Sequence, residues 1–291
     1  MAYFRCNNNN NSGNFTELFK QLDFRVGDLP YSFQDGSILK YSDNEIHIFG
    51  GHKDSENYKY HYVYYIDTGE WKPVADIPVN FINGCVILKD GYIHLLGGTF
   101  SSVSHYKRSS NDLYWSEVST LPYFFISGSA IVYENEIHIL GGKDYQTNHY
   151  VYRNNAWEKL SDLPMDFING GVGIINNELH ILGGNSTNRS RHYKLVNDSW
   201  VKLNNLPVTP YFSSFCFYED TIFLVNSSDN NYRYKYDSNK DTWSEYGDTP
   251  VNISGGRVIM INDIMYMLGG NANNGTQKYF YQSVYDVYIK K

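Results

Sequence analysis

The sequence predicts an all-β, six-bladed propeller with four antiparallel strands per blade, whose last blade is closed by a strand from the N-terminal part of the chain. Two observations predict it. A tryptophan recurs at a nearly constant spacing, and an apolar run that ends in Gly-Gly recurs in phase with it. Aromatic residues also make up 17 % of the chain, 28 of them tyrosines, and such residues favour strands.

The tryptophan series includes all five tryptophans of the chain, Trp71, Trp115, Trp157, Trp200 and Trp243. Successive members are 44, 42, 43 and 43 residues apart. Seven positions after each of them comes a proline, at Pro78, Pro122, Pro164, Pro207 and Pro250. A fixed period of this length is the signature of a repeat architecture, so one structural unit is repeated around the molecule.

The Gly-Gly series has five complete copies and one degenerate copy. The complete copies are EIHIFGG ending at Gly51, YIHLLGG at Gly98, EIHILGG at Gly142, ELHILGG at Gly184 and IMYMLGG at Gly270. The sixth, TIFLVNS at 221–227, has no glycine. Glycine reaches backbone conformations that other residues avoid, so the pair marks the point where the chain leaves the sheet.

Each period contains four short strand-like runs, which we name A to D from the centre of the ring outwards. In the second blade they are predicted at 84–89, 92–96, about 103–108 and 113–118. The segments Asp90-Gly91 and Glu134-Asn135 are typical of tight turns between strands A and B. Six such units account for the repeat.

The two ends of the chain are predicted to complete one blade together. The last repeat stops after a strand C near 279–289, with no tryptophan after it. Residues 15–26 precede Leu29-Pro30, which is typical of the end of a strand D, so they are expected to supply the missing outer strand. Closing the ring in this way removes open sheet edges. Residues 1–14 are expected to be a tag and an Asn-rich flexible tether, and 15–291 the propeller.

These motifs resemble the kelch repeat, which has a hydrophobic strand ending in Gly-Gly, a spaced tyrosine and a tryptophan before the next blade. The resemblance covers about 15 to 290. It implies a propeller fold, but it implies no single function, because kelch propellers serve as adaptors, adhesins, sugar mutarotases and oxidases.

Charge and composition exclude several classes of function. A net charge of -7 and a pI near 5.7 give no electrostatic attraction to nucleic acid or to an anionic membrane. The sequence shows no signal-peptide pattern and no apolar stretch long enough for a membrane span, so we expect a cytoplasmic or virion-associated protein without membrane insertion. Cys6, Cys85 and Cys216 have no metal-ligand or redox spacing, and no cofactor is expected.

Two histidine series are interpreted as packing residues. His47, His94, His138 and His180 occupy one place in strand B, and His61, His105, His149 and His192 occupy one place in strand C. Equivalent residues of different blades lie far apart around a ring, so repeated histidines do not form a metal cluster. We expect half-buried rings between blades.

Catalytic chemistry has little support in the sequence. A copper radical oxidase on this scaffold would need a tyrosine crosslinked to cysteine, whereas Cys85 and Cys216 fall in inner strands where a small apolar residue fits. A sialic-acid mutarotase would need cations in the central funnel, and Arg257 is the one arginine in an inner strand. The matching places in other blades are predicted to hold Ile38, Val86, Ala130 and Val172. The chain lacks the common hydrolase and phosphate-binding motifs.

The predicted ligand site lies on the face formed by the D-to-A and B-to-C loops. The D-to-A loops share the template Pro-x-x-hydrophobe-x-(Asn/Ser/Asp)-Gly, whose Phe33, Phe81, Phe125 and Phe167 are expected to pack in the ring. The variable positions are the binding candidates, because rigid scaffolds carry specificity on loops. They are Tyr31, Asn80, Phe124, Asp166, Tyr211 and Asn252, then His52, Phe100, Lys143, Tyr145, Asn185 and Asn271, with Arg257 added.

We therefore interpret the chain as a non-catalytic recognition module that binds a glycan or a protein. Aromatic rings stack on apolar faces of a sugar, and amides bond to hydroxyls or backbone. MAYFRC followed by NNNNNSGN is similar to the start of phage tail-associated proteins, which implies an adhesin joined to a larger virion assembly. The alternatives are a mutarotase-like carbohydrate enzyme and an intracellular protein-interaction adaptor.

Overall fold

The computed structural model describes residues 15–51, 58–99, 103–110, 112–184, 189–210, 213–225, 232–249, 254–272, 275–276 and 279–290. All regular secondary structure in these ranges is β-strand, arranged as six sheets of four antiparallel strands and one short two-stranded ribbon. The search of the described ranges for a helix of membrane-spanning length and hydropathy finds none. The predicted six-bladed, all-β architecture is confirmed.

The strands of each blade follow the order A, B, C and D outwards from the centre of the ring. Strands A are β2 (Ser37–Ser42), β6 (Cys85–Lys89), β10 (Ser129–Tyr133), β14 (Gly171–Ile175), β18 (Ser214–Tyr218) and β22 (Arg257–Ile261). Strands B are β3 (Glu45–Phe49), β7 (Tyr92–Leu96), β11 (Glu136–Leu140), β15 (Glu178–Leu182), β19 (Thr221–Val225) and β23 (Ile264–Leu268).

The outer half of each blade consists of strands C and D. Strands C are β4 (His61–Tyr65), β8 (Ser104–Ser109), β12 (His149–Arg153), β16 (His192–Val196), β20 (Tyr232–Asp237) and β26 (Tyr279–Lys290). Strands D are β5 (Glu70–Pro73), β9 (Ser116–Thr120), β13 (Ala156–Lys159), β17 (Ser199–Lys202), β21 (Thr242–Asp248) and β1 (Phe15–Asp28). The short ribbon pairs β24 (Asn271–Ala272) with β25 (Gly275–Thr276).

The ring closes through blade 6, which is built from both ends of the described chain. β1 pairs antiparallel with β26, from Phe15 opposite Lys290 to Asp28 opposite Tyr279. β26 in turn pairs with β23, and β22 lies next to β2 of blade 1. The predicted closure by an N-terminal strand is confirmed, and the two strands extend slightly beyond the predicted bounds of 15–26 and 279–289.

The hydrophobic core lies between neighbouring blades. For example, Leu39 and Phe49 of blade 1 pack with Phe81, Ile93 and Leu95, which belong to the second blade and the loop before it. Each blade buries one apolar face against the next, so a blade is stable only when its neighbouring blades are in place. This arrangement explains why the strand B pattern is almost continuously apolar.

The turns between strands A and B have the predicted geometry. Asp90 and Gly91 have φ of 50° and 77°, and Glu134 and Asn135 have φ of 48° and 62°. Two consecutive left-handed residues are typical of the type I′ turn that joins antiparallel strands.

The predicted strand D at 113–118 is wrong in its bounds, because β9 begins only at Ser116. Residues 113 and 114 instead lie in an exposed turn.

The Gly-Gly motif joins blades 1, 2, 3 and 6 to the blade that follows each of them. At Gly97, with φ of 68°, an added Cβ would lie 1.9 Å from the carbonyl oxygen of Phe125 in the following loop. The amide of Gly98 donates a hydrogen bond of 3.1 Å to that same oxygen. The same bond recurs from Gly51 to Phe81, from Gly142 to Phe167 and from Gly270 to Phe33.

Candidate functional site

The D-to-A loops and the B-to-C loops emerge at the same end of the ring, because consecutive strands are antiparallel. We call this end the loop face, and we call the opposite end, with its A-to-B and C-to-D turns, the turn face. The four template phenylalanines, Phe33, Phe81, Phe125 and Phe167, are fully buried. They anchor the loops on the ring, and the residue directly before three of them is exposed, namely Asn80, Phe124 and Asp166.

A belt of backbone hydrogen bonds holds the D-to-A loops together around the centre. The amide of Asp35 donates to the carbonyl of Gly255, that of Asn83 to Asp35, that of Ser127 to Asn83, and that of Asn169 to Ser127, over 2.7–3.1 Å. These five residues have φ between 53° and 70°, the left-handed region in which Asn and Asp are enriched. The Asn/Ser/Asp position of the template therefore serves ring closure.

A second belt comes from the first residue of four of the strands A. The Oγ of Ser37 donates to the carbonyl of Gly84, the Oγ of Ser129 to Gly170 and the Oγ of Ser214 to Gly256, over 2.7–2.9 Å. The Sγ of Cys85 lies 3.3 Å from the carbonyl of Gly128. Each bond crosses from one blade to the next, so Cys85 acts in the position that serine holds elsewhere.

Arg257 holds this first strand position in blade 6. The register that pairs Arg257 with Leu268 and Ser37 with Phe49 aligns Arg257 with Ser37, Cys85, Ser129, Gly171 and Ser214. The predicted alignment with Ile38, Val86, Ala130 and Val172 is therefore wrong by one residue. A one-residue shift along a strand moves a side chain to the other face of the sheet.

The guanidinium of Arg257 is engaged in the channel wall. Its side chain is half-buried, and Nη1 donates to the carbonyls of Gly255 and Gly256 at 3.2 and 3.0 Å. Burial lowers the pKa of Arg257, and the Asp35 carboxylate opposes that effect. The cation thus ties its own loop to the wall and lies close to the first loop of the ring.

The D-to-A loop positions differ in exposure according to their place in the template. At the third position, Asn80, Phe124 and Asp166 are exposed, as expected for ligand contacts. Tyr31 occupies the second position, where only 3 % of its surface is exposed, and its hydroxyl donates to the carbonyl of Gly50 at 2.6 Å. This corrects the interpretation of Tyr31, which belongs to the core of the ring and not to its surface.

Two aromatic side chains are exposed on neighbouring loops at the loop face of blade 3. Phe124 is 46 % exposed in the D-to-A loop, and Tyr145 is 42 % exposed in the B-to-C loop. The loops touch through the buried Tyr123, whose ring centroid lies 4.8 Å from that of Tyr145. The amide of Lys143 also donates to the carbonyl of Ile126 at 3.0 Å. We call Phe124, Tyr145 and the exposed Lys143 the blade 3 ledge.

The side chains of the remaining candidates lie outside the part of the chain that the structure describes. Tyr211, Asn252, His52, Phe100 and Asn185 lie outside the described residues. Asn271 begins β24, which follows directly after the Gly-Gly of blade 6. Their assignment to the ligand site stays a prediction from the loop template.

The two histidine series are buried, not half-buried as predicted, and they are paired with each other. In blade 3 the Nδ1 of His138 lies 2.9 Å from the Nε2 of His149, and the ring of His149 lies 6.2 Å from that of Trp200 in the next blade. Packing between blades was expected, whereas the direct contact between series was not. The sequence could have indicated this contact between the two series only if the register between strands B and C had been known.

Nucleophilic and metal chemistry have little basis in the described residues. Burial raises the pKa of the Cys85 and Cys216 thiols to about 12, which keeps both protonated near neutral pH. A search of the described ranges finds no group of three His, Cys, Asp or Glu side chains that could hold a metal ion. The described part of the loop face exposes aromatic rings, the amide of Asn80 and the charges of Lys143 and Asp166.

Comparison with known proteins supports the architecture. No protein-family model matches the sequence, and no curated protein matches it. Among solved structures, the one titled "Structure of YjhT" is similar to this chain with a TM-score of 0.73 and 13 % sequence identity. The match covers 88 % of this chain and 95 % of the other. At this identity the likeness shows the propeller fold alone.

Proposed function

We propose that this chain is a kelch-type recognition propeller that binds a glycan at its loop face. The observation that carries the proposal is the blade 3 ledge, where Phe124 and Tyr145 each expose a large aromatic surface on two loops that meet at Tyr123. Buried anchors fix both loops from below. Binding a ligand at these rings therefore costs little conformational entropy, because the loops that carry them are already ordered.

The chemistry of the ledge suits a sugar. The rings of Phe124 and Tyr145 offer flat apolar surfaces against which the C–H faces of a pyranose stack, and Tyr145 adds a hydroxyl. Exposed polar side chains lie at the matching loop positions of the neighbouring blades, Asn80 in the loop before blade 2 and Asp166 in the loop before blade 4. Rings at the centre with polar groups at the sides are typical of ligand sites.

Attachment to a virion follows from the N-terminal resemblance and is part of the same proposal. An adhesin needs a binding face turned outwards and a separate point of attachment. β1 belongs to blade 6, whereas the ledge belongs to blade 3, on the far side of a six-bladed ring. A segment that precedes β1 can therefore join a larger assembly without covering the ledge.

The other interpretations have less support. A mutarotase-like enzyme would need several converging cations, but the positions aligned with Arg257 hold Ser37, Cys85, Ser129, Gly171 and Ser214. A protein ligand would also use exposed aromatic residues. A glycan array distinguishes a glycan ligand from a protein ligand, because a ledge that binds only protein gives no glycan signal.

A glycan array tests the proposal with three proteins. They are the wild type, the variant Phe124→Ala/Tyr145→Ala, and the control Leu113→Ala/Tyr114→Ala. The control also removes two exposed apolar side chains, 76 % and 80 % exposed, but from the turn face. We expect the wild type and the control to bind the same glycans and the ledge variant to lose at least tenfold in affinity, about 1.4 kcal/mol. Wild-type binding that survives in the ledge variant, or no glycan binding at all, would contradict the proposal.

A further inference from the structure

Eight of the nine histidines of the chain form four buried pairs, one in each of blades 1 to 4. In every pair the Nδ1 of the strand B histidine faces the Nε2 of the strand C histidine. The distances are 2.8 Å for His47–His61, 2.8 Å for His94–His105, 2.9 Å for His138–His149 and 2.8 Å for His180–His192. All eight residues are at most 8 % exposed.

This geometry accommodates one proton between the two rings. A neutral imidazole has one N–H donor and one acceptor nitrogen, so two neutral rings form one good hydrogen bond. When both rings become imidazolium ions, two N–H groups oppose each other at 2.8–2.9 Å, and two buried positive charges repel. Acid therefore destroys the contact that neutral pH stabilises.

The pairs lie at the boundaries between blades, so their loss affects the ring itself. The strand C histidine of each pair contacts the tryptophan of the following blade, with ring centroids 5.8–6.2 Å apart. The contacts are His61 with Trp115, His105 with Trp157, His149 with Trp200 and His192 with Trp243. Hydration of a protonated pair would separate these rings from the tryptophans that they cover.

The groups around the pairs mostly oppose protonation. Those that face the pairs, in blade order, are Glu45, Tyr41 and Arg108; Lys89, Asp90, Lys107 and Tyr152; Tyr133 and Arg153; and Glu178, Lys194, Tyr236 and Asp241. Cations predominate around blade 2 and are present in every set. Among the described residues, the blade 4 pair alone has two carboxylates beside it, Glu178 and Asp241, which attract a proton.

Blades 5 and 6 show that the fold does not need a histidine pair. At the two equivalent positions blade 5 holds Phe223 and Arg233, and blade 6 holds Tyr266 and Phe280. The rings of Tyr266 and Phe280 stack with centroids 5.9 Å apart, and both are buried. An aromatic pair fills the same space without a titrating group.

We propose that the four histidine pairs make this propeller an acid-opening ring, in which blades 1 to 4 separate when protons enter the pairs. The device is independent of the ligand that the loop face binds. It acts as a latch that is closed at neutral pH and is progressively weakened as the pH falls from 6.5 towards 4.

The direction of the pH effect follows from proton linkage. Burial and the neighbouring cations lower the pKa of His47, His94 and His138 to about 4, and burial together with the partner His138 lowers that of His149 to about 3. The unfolded chain has histidine pKa values near 6.5 and so binds more protons between these limits. Stability is therefore fully present above pH 6.5 and is lost as the pH falls towards 4.

The test measures urea unfolding of the full chain from pH 8 to pH 4.5. The slope of log Kunf against pH counts the protons taken up on unfolding, up to eight from the pairs. The variant His138→Tyr/His149→Phe places the blade 6 residues in blade 3. It is expected to take up two fewer protons near pH 5, so that its Kunf rises up to 100-fold less per pH unit.

A second variant and a spectroscopic readout keep the test decisive. His180→Tyr/His192→Phe should also remove up to two protons, and carboxylates contribute equally to all three proteins. NMR titration of the wild-type imidazole rings should show eight neutral histidines in the folded state at pH 5.5. Unchanged slopes in the variants that fold, or folded-state rings that titrate near 6.5, would overturn the proposal.

Discussion

The Oγ of Ser129, the first residue of the inner strand of blade 3, donates a hydrogen bond of 2.9 Å to the carbonyl of Gly170 in the loop before blade 4. The same bond crosses three other blade boundaries from Ser37, Cys85 and Ser214. The inner strands of different blades are not paired as one sheet. Side-chain bonds of this kind therefore replace the ladder that would otherwise join them.

Replacing Ser129 with alanine is expected to destabilise the protein by about 1 kcal/mol, because the part-buried Gly170 carbonyl loses its donor. Urea unfolding at pH 7.5 measures the change. Ser116→Ala removes an exposed hydroxyl at the start of β9 and should stay within about 0.5 kcal/mol of the wild type. Equal effects of the two substitutions would show that the Ser129 bond contributes nothing.

Replacing Gly97 with alanine should be among the most damaging single changes, at about 3 kcal/mol or more. Its Cβ would lie 1.9 Å from the Phe125 carbonyl oxygen, so two blades would have to move apart. Gly91 is a matched control, since its φ of 77° is also left-handed but nothing lies within 4 Å of an added Cβ. Gly91→Ala should cost only about 1 kcal/mol through backbone strain. The difference in unfolding free energy isolates the contact between blades.

Gly173 and Phe217 are expected to be energetically coupled. A Cβ on Gly173 of blade 4 would lie 2.0 Å from the ring of Phe217 in blade 5. Gly173→Ala should therefore destabilise by about 1 to 3 kcal/mol through overpacking. The same substitution made in a Phe217→Ala background should cost at least about 1 kcal/mol less. A double-mutant cycle by chemical denaturation gives the coupling, and strict additivity would contradict the packing described here.

The repeated residues made the architecture predictable, because they do the same structural work in every blade. Trp115 packs at a boundary between blades, and the amide of Gly98 bonds across another. Either residue recurs at a fixed period, so its role can be read from one sequence without an alignment. The closing strand was predictable for the same reason, since a blade that lacks one strand needs it from elsewhere.

The candidate site was less predictable, because its residues are defined by differences between blades. An aromatic residue in a variable loop position gives the same signal when buried as when exposed, as Tyr31 and Phe124 show. The predicted alignment of Arg257 with the other blades was wrong by one residue, because strand register depends on hydrogen bonds that the sequence does not display. The pairing of His138 with His149 depends on the register between strands B and C in the same way.

Removal of the closing strand provides the sharpest test of how the chain is divided. A variant that lacks residues 1–28 loses β1 and leaves the edge of β26 unpaired along its length. We expect it to unfold without cooperativity or to associate through the open edge, because unpaired edges invite strand addition. The matched control lacks only residues 1–14, the predicted tag and tether, and should unfold within about 0.5 kcal/mol of the full chain. Urea unfolding and size-exclusion chromatography measure both effects. A 1–28 deletion that unfolds like the full chain would mean that β1 does not stabilise the ring, whereas a destabilised 1–14 deletion would place the start of the propeller earlier than residue 15.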